Sequence, residues 1–267
     1  PEDVFTIDGR LWIGASDRRA GAEASIVGDL TARLSYWNFG AELGLFGRGD
    51  ALDTPHETYG ALTYSFGQTK IAVGVPRPAY DAVAISAFES DLADLAIDRV
   101  QETRSAATFG AMYTNWIPYG VAVTGSRGAL SFAGSVHYAE LPDAYIIGAG
   151  ARWSRDGWTL AGAVESNDGT LSAKAKIDRY FDKLSTSVAY FSPGAAGVSD
   201  VVELSATLRS MDRFGLTAVV QAPTDGSDVT AGVSGRYEIS DRTSLALGVM
   251  TDAGTDATFS AAIDLNF

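Results

Sequence analysis

The chain has 267 residues and a net charge of −13. This charge argues against binding to nucleic acid, because neutralising phosphates requires clustered Lys and Arg. The chain contains no cysteine, which excludes disulfides, thiolate metal sites and a cysteine nucleophile. Its 29 glycines, 8 prolines and 46% apolar residues indicate a folded chain rather than a disordered or collagen-like one.

Apolar and polar residues alternate with a period of two from the beginning of the chain, which is typical of β-strands. Segments of this kind follow one another at roughly 5–13, 25–36, 38–48, 57–66, 69–76, 107–125, 129–140, 143–154, 158–166, 170–181, 184–191, 199–210, 213–222, 227–239, 242–251 and 255–267. Tight turns such as Arg155-Asp156-Gly157 alternate with longer connections. The pattern predicts about sixteen antiparallel strands in one domain, residues 1–267.

The two faces of these strands differ in charge. One face carries Leu, Ile, Val, Phe, Ala and Gly, whereas the other carries charged residues such as Arg10, Arg33, Lys174 and Glu203. In a soluble sandwich the apolar face would pack inward, and that alternative stays open. The strands are about nine to thirteen residues long, however, which is the length that crosses a bilayer at a tilt. We therefore predict an all-β fold, a transmembrane antiparallel β-barrel whose apolar face meets lipid.

Aromatic residues cluster at both ends of the predicted strands, as in the two interfacial belts of outer-membrane barrels. The larger belt lies beside the tight turns and ends with Phe267, and the weaker belt contains Tyr138, Tyr145, Tyr190 and Phe191. Unpaired backbone groups in hydrocarbon cost several kcal/mol each. We therefore expect the last strand to pair with the first, with Phe267 facing lipid at the periplasmic rim.

One long stretch, "VPRPAYDAVAISAFESDLADLAIDRVQETR", lacks the two-residue period. Pro76 and Pro78 end the fifth strand, and a connection of this length suggests a functional loop. Ser86 and Glu89 have the spacing of a capping box at the beginning of a short amphipathic helix. Since about sixteen strands enclose an aqueous channel, we predict that residues 76–106 fold inward and narrow it.

The predicted constriction has opposed charges. Arginines on three consecutive strands face acids of the long loop, and the candidate residues are Arg10, Arg33, Arg48, Asp81, Glu89, Asp91, Asp94 and Asp98. Two alternatives stay open. The arginines could instead pair with Asp8, Asp29 and Glu42 on their own wall, and the loop acids could either face water or bind a hard cation such as calcium.

Three passages carry a resemblance to a known family: "FGQTKIAVG" before the acidic loop, "YGVAVTGSRGALSFAGSVHYAE" after it, and the terminal "AAIDLNF". Over essentially its whole length the sequence resembles the general diffusion porins of the Gram-negative outer membrane, in particular the Rhodobacter type of alphaproteobacteria. The resemblance implies a homotrimer of sixteen-stranded barrels with both termini on the periplasmic side. It also implies that the infolded third loop and the basic wall frame an eyelet for small hydrophilic solutes and ions. Some porins of this type hold calcium near this loop.

We therefore expect a passive diffusion channel that is not an enzyme and uses no cofactor, with a mild cation preference from the negative net charge and a bound calcium as an open alternative. A substrate-selective channel is the first alternative, because Trp12, Phe46 and Tyr59 point inward. An outer-membrane barrel enzyme is the second, based on His137 beside Ser135. Small outward residues are the expected trimer contact: Gly9, Gly28, Ala32, Ala41, Gly47, Ala257 and Ala261.

Overall fold

The computed structural model describes residues 4–19, 21–49, 54–93, 95, 100–211, 213–252 and 256–267. These residues form sixteen antiparallel strands that close into a barrel, each strand pairing with its neighbours in the sequence and β1 pairing with β16. The predicted barrel and its number of strands are thereby confirmed. The strands are β1 (Val4–Arg19), β2 (Gly21–Tyr36), β3 (Phe39–Gly49), β4 (His56–Phe66), β5 (Thr69–Val75), β6 (Pro118–Arg127), β7 (Leu130–Ala139), β8 (Ala144–Arg155), β9 (Trp158–Asn167), β10 (Thr170–Tyr180), β11 (Leu184–Ser192), β12 (Val201–Met211), β13 (Phe214–Pro223), β14 (Thr230–Ser240), β15 (Thr243–Asp252) and β16 (Thr258–Asn266).

The barrel closes through the last residues of the chain. β16 pairs with β1 from Arg10 opposite Asn266 to Ser16 opposite Ser260, and the N–H of Phe267 donates to the carbonyl of Gly9 at 3.0 Å. Gly9 has a φ of 136°, and a Cβ there would lie 2.1 Å from a carbonyl oxygen of β2. This glycine is therefore required by the close approach of two backbones, whatever packs outside it.

Alternate residues of each strand point outward and inward. In β11 the Val188 side chain is 51% exposed, whereas its neighbour Ala189 is 2% exposed. Because the exposed positions carry large apolar side chains, the barrel has an apolar outer face, as predicted. One aromatic residue differs from expectation: Phe191 is completely buried beside the exposed Tyr190, because strand alternation turns its ring inward.

The connection between β5 and β6, residues 76–117, is here called the inner segment. Its described residues form a 3₁₀ turn (Ala79–Ala82) and three helices, α1 (Ala87–Asp91), α2 (Val100–Thr103) and α3 (Ala106–Thr114). α1 begins at the predicted capping residue, since Ser86 Oγ accepts the N–H of Phe88 at 3.2 Å. Among the described residues, no helix is long and apolar enough to cross a membrane.

Our prediction of a strand from residue 107 is wrong, because α3 occupies that stretch and β6 begins only at Pro118. Ser105 caps α3 by accepting the N–H of Ala107 at 3.1 Å. Gly110 leaves room for the indole ring of Trp116, which a Cβ would meet at 1.9 Å. The local cap and this tertiary contact outweigh the strand-like residue pattern.

The inner segment contacts inward-facing side chains from distant parts of the ring. Glu89 pairs with Arg48 of β3, the Thr103 carbonyl accepts from a lysine of β10, and Ser86 binds Glu203 of β12. The segment thus contacts three strands that are far apart in the ring, and its predicted inward folding stays a prediction. Apolar side chains add to these contacts, because Leu92 packs where Gly232 and Gly248 have no side chain.

Candidate functional site

A cavity of about 320 Å³ lies between the inner segment and the wall formed by β1, β2 and β3. A second cavity of about 140 Å³ borders β2 to β7, and the two share Thr31, Arg33 and Arg77 in their linings. Both cavities therefore follow one side of the barrel. The charged residues that line the larger cavity are Asp8, Arg10, Asp29, Arg33, Arg48, Arg77, Glu89 and Arg104.

Among the described acids of the inner segment, Glu89 contacts one of the predicted wall arginines, Arg48 of β3. Its carboxylate accepts from Arg104 Nε at 2.9 Å, lies 3.5 Å from Arg48 Nη2 and also accepts from the Thr103 hydroxyl. Burial raises the pKa of Glu89, but the Arg104 and Arg48 guanidiniums more than compensate and lower it to about 2. In return, although burial opposes it, the Glu89 carboxylate raises the pKa of Arg104. Glu89, Arg48 and Arg104 are together called the Glu89 clamp.

Arg10 binds both the wall and the inner segment. Its Nε and Nη2 donate to the two carboxylate oxygens of Asp264 at 2.7 and 2.9 Å, and its Nη1 donates to the Ser90 carbonyl. Asp91, another predicted residue, lies 3.8 Å from Arg236 of β14. Both contacts tie the end of α1 to the side of the barrel where the strands close.

Arg33 pairs with acids on its own wall, which was the alternative for the three arginines. It donates to Asp8 and to Glu42 at 3.2 Å, both on the same wall. Asp81 lines neither cavity: its carboxylate is buried and accepts the Ser105 N–H at 2.7 Å. Asp81 therefore supports the beginning of α3.

Asp94 and Asp98 lie outside the described residues, so their predicted role stays a prediction. Within the described part of the chain, no group of three or more His, Asp or Glu side chains is placed to hold a metal ion. The calcium alternative likewise stays a prediction, since two of its candidate acids are not described.

Two arginines of the inner segment that line the larger cavity were missing from our prediction, which took only acids from the long loop. Arg77 pairs with Asp29 of β2, with an N–O distance of 3.2 Å from its Nη1, and Arg104 completes the Glu89 clamp. Arg77 is recognisable in the sequence by its position between Pro76 and Pro78. No comparable signal marks Arg104.

The three inward aromatic rings were the basis for a substrate-selective channel. Trp12, Phe46 and Tyr59 do point inward, and they are between 2% and 3% exposed. Each ring is covered by a guanidinium, at 4.6, 4.3 and 4.7 Å from the ring centroid; the arginines are Arg10, Arg104 and Arg77 respectively. Covered rings do not offer a solute an open stacking surface.

His137, expected to face the lumen, is completely buried between the wall and the inner segment. Its Nδ1 lies 3.1 Å from the Pro118 carbonyl, and the neighbouring Ser135 hydroxyl accepts the N–H of Ala79 at 2.9 Å. Ser135 thus binds the inner segment and His137 binds the first residue of β6, and the burial of both side chains leaves a substrate no access to them.

No protein-family model matches the sequence, and no curated protein sequence matches it. The structure, in contrast, is similar to solved porins. A triple mutant of the Rhodopseudomonas blastica porin has a TM-score of 0.74 and 15% identity, over 99% of this chain and 100% of that one. A second mutant of the same porin has a TM-score of 0.75 and 16% identity, with the same coverage. The chain has the porin fold, and the resemblance in its sequence is confirmed at that level.

Proposed function

We propose that this chain is a passive diffusion channel for small hydrophilic solutes and ions, a porin of a Gram-negative outer membrane. The observation that carries the proposal is the distribution of side chains, which is opposite to that of a soluble protein. Apolar side chains cover the outside of a closed barrel, and charged side chains line cavities within it. Such a barrel presents lipid with a fully paired backbone and gives water a path through the centre. Passage of a solute through such a barrel requires no chemical reaction.

The proposed orientation follows the asymmetry of the two ends. Tight turns stand at one end together with Val4 and Phe267, the first and last residues that the structure describes, and longer connections stand at the other. We assign the end with the tight turns, and with it both termini, to the periplasmic side. Among the described residues, ten carboxylates lie at the end with longer connections: Asp17, Glu23, Glu140, Asp143, Asp168, Asp200, Asp225, Asp228, Asp252 and Asp256. This acidic rim supports the expected mild preference for cations. Salt screens exposed charges, so the preference should fade as ionic strength rises.

The proposed oligomer is a homotrimer that associates through β1 to β3. Gly28 and Gly47 line a groove of about 340 Å³ on the outer face of these strands. Small residues there allow a neighbouring barrel to approach closely. Cross-linking in mild detergent tests this, and a monomer at every protein concentration would contradict it.

Recordings in planar lipid bilayers test the channel itself. We expect stepwise conductance that increases in proportion to salt concentration, with a reversal potential in a KCl gradient that indicates cation preference at low salt. A protein that inserts and folds without raising the conductance would refute the proposal. Hydrolysis of an ester substrate that is lost in His137→Ala would instead support an enzyme.

A further inference from the structure

An arginine of the outer face is built into the tight-turn end of β10. Strand alternation places Arg179 on the same face as the exposed Ile177. Its guanidinium lies against two exposed aromatic rings, 4.7 Å from the centroid of Trp158 and 5.2 Å from that of Phe181. Trp158 of β9 stands directly opposite Arg179 in the strand register. The arginine is therefore held within the aromatic belt, at the level where lipid headgroups lie.

The turn between β8 and β9 fixes the position of this guanidinium. Arg179 Nη1 donates to the Asp156 carbonyl at 2.8 Å, which uses one of the five N–H donors of the group. The next turn residue, Gly157, has a φ of 75°, and a Cβ there would lie 3.3 Å from the same nitrogen. A guanidinium held in this way suits a phosphate, which it can bind through two parallel hydrogen bonds.

The charged residues of the two neighbouring turns favour an anion at Arg179. Arg155, on the other side of the same turn, has an acid of its own, since its Nε lies 3.2 Å from Asp156 Oδ2. The following turn carries one charge of each sign, Asp182 and Lys183. These three cations and two acids leave one positive charge in excess. An anionic headgroup matches that charge, whereas a zwitterionic headgroup carries its own cation.

An apolar groove of about 430 Å³ lies further along the same strands, on the outer face. The small outward-facing residues that line it are Ala149, Ala151, Gly162, Ala173 and Ala175. Ala175 is four residues from Arg179 on β10, about 13 Å at about 3.3 Å per residue. Half of the hydrocarbon core is about 15 Å thick. A lipid whose headgroup binds Arg179 can therefore lay an acyl chain in this groove.

This face of the barrel stays open to lipid in the proposed trimer. The groove belongs to β8 to β11, at least five strands away from β1 to β3 in either direction around the ring. A second barrel is a poor occupant, because copies in a membrane share one orientation. A two-fold contact through this face would bring two Arg179 guanidiniums together, and like charges repel.

We propose that Arg179, Trp158 and this groove form a binding site for an anionic phospholipid in the leaflet at the tight-turn end. The guanidinium binds the phosphate, and the groove holds one acyl chain. The site rests on the proposed membrane location of the barrel and is independent of conduction.

The experiment measures which lipids stay bound to the barrel. The protein is reconstituted in equal amounts of phosphatidylglycerol and phosphatidylcholine with the same palmitoyl and oleoyl chains, extracted in mild detergent, and weighed by native mass spectrometry. Wild type should retain phosphatidylglycerol in preference to phosphatidylcholine. Arg179→Gln should lower that retention about tenfold, the scale of a lost hydrogen bond to a charged group. Arg127→Gln, which changes an exposed arginine at the end of β6 outside the groove, is the matched control and should behave as wild type.

A second variant tests the groove and leaves the arginine intact. Ala175→Leu fills the groove and should also reduce the retained phosphatidylglycerol, even if Arg179→Gln does not fold. Ala218→Leu, at an exposed outer position of β13, is its control. Equal retention of the two lipids by wild type, or wild-type retention by both groove-side variants, would overturn the site. So would an Ala175→Leu protein that loses a bound second barrel while its lipid preference is unchanged. A barrel that retains phosphatidylglycerol selectively without conducting would support the site and refute only the channel.

Discussion

Replacing Glu89 by glutamine should loosen the inner segment more than any other single change among its described charged residues. The Glu89 carboxylate is 3% exposed and is shared between Arg104 at 2.8 Å and Arg48 at 3.5 Å. The two guanidiniums are themselves 7% and 1% exposed. A neutral amide therefore removes the carboxylate that both buried guanidiniums share.

The magnitude follows from the pKa of Glu89 and from the burial of its partners. Lowering this pKa from 4.5 to about 2 corresponds to about 3 kcal/mol of net stabilisation of the charged form. Removing one partner of a buried ion pair costs about 3–5 kcal/mol. At about 1.4 kcal/mol per factor of ten, the Glu89→Gln change should increase the released fraction of the segment by about two to four powers of ten.

The sign of the pH dependence is fixed by the same shift. Because the folded pKa is lower than the unfolded one, the contribution of Glu89 is complete above pH 4.5 and is lost as the pH falls toward about 2. Wild-type channels should therefore keep their gating from pH 7 to 4.5 and become unstable below it. Glu89→Gln should already show the unstable gating at pH 7.

Single-channel recordings between pH 7 and 2.5 measure both effects, with circular dichroism to confirm that the barrel remains folded. Glu140→Gln, which changes an exposed carboxylate at the β7–β8 turn, is the control and should follow wild type. If Glu89→Gln channels closed no more often than wild type at pH 7, and responded to acid in the same way, the result would show that the clamp does not hold the segment.

Three further changes test other parts of the structure. Val188→Arg, at the middle of β11 on the outer face, should destabilise the inserted barrel by about 2–4 kcal/mol in urea titrations from liposomes, whereas Ser187→Arg at the same depth on the inner face should cost much less; equal losses would mean that the faces are misassigned. Gly248→Ala should increase trypsin cleavage of the segment, because its Cβ would lie 2.8 Å from Leu92 Cδ2, and cleavage at the wild-type rate would contradict this packing. Deleting Phe267 removes the 3.0 Å hydrogen bond to β1 and should lower the barrel's melting temperature, and an unchanged temperature would show that this last contact does not stabilise closure.

The candidate site was only partly predictable from the sequence. Alternation placed Arg10, Arg33 and Arg48 on the inner face, because the direction of a strand side chain depends only on its parity. Parity does not say which carboxylate each guanidinium meets, so Arg33 binds its own wall while Arg48 binds Glu89. Those choices depend on where the inner segment lies.

Local patterns determined the barrel itself: a two-residue period repeated sixteen times, tight turns at one end, and an apolar strand that continues to the last residue. These features depend on neighbours in the chain and on the need to pair every backbone group in lipid. The tertiary structure alone decided that α3 replaces a strand, that Glu165 and Glu203 cap helices 59 and 116 residues away from them in sequence, and that Leu92 fills the space left by two glycines. Such contacts join residues whose separation in the chain carries no periodic signal, so they become visible only in the tertiary structure.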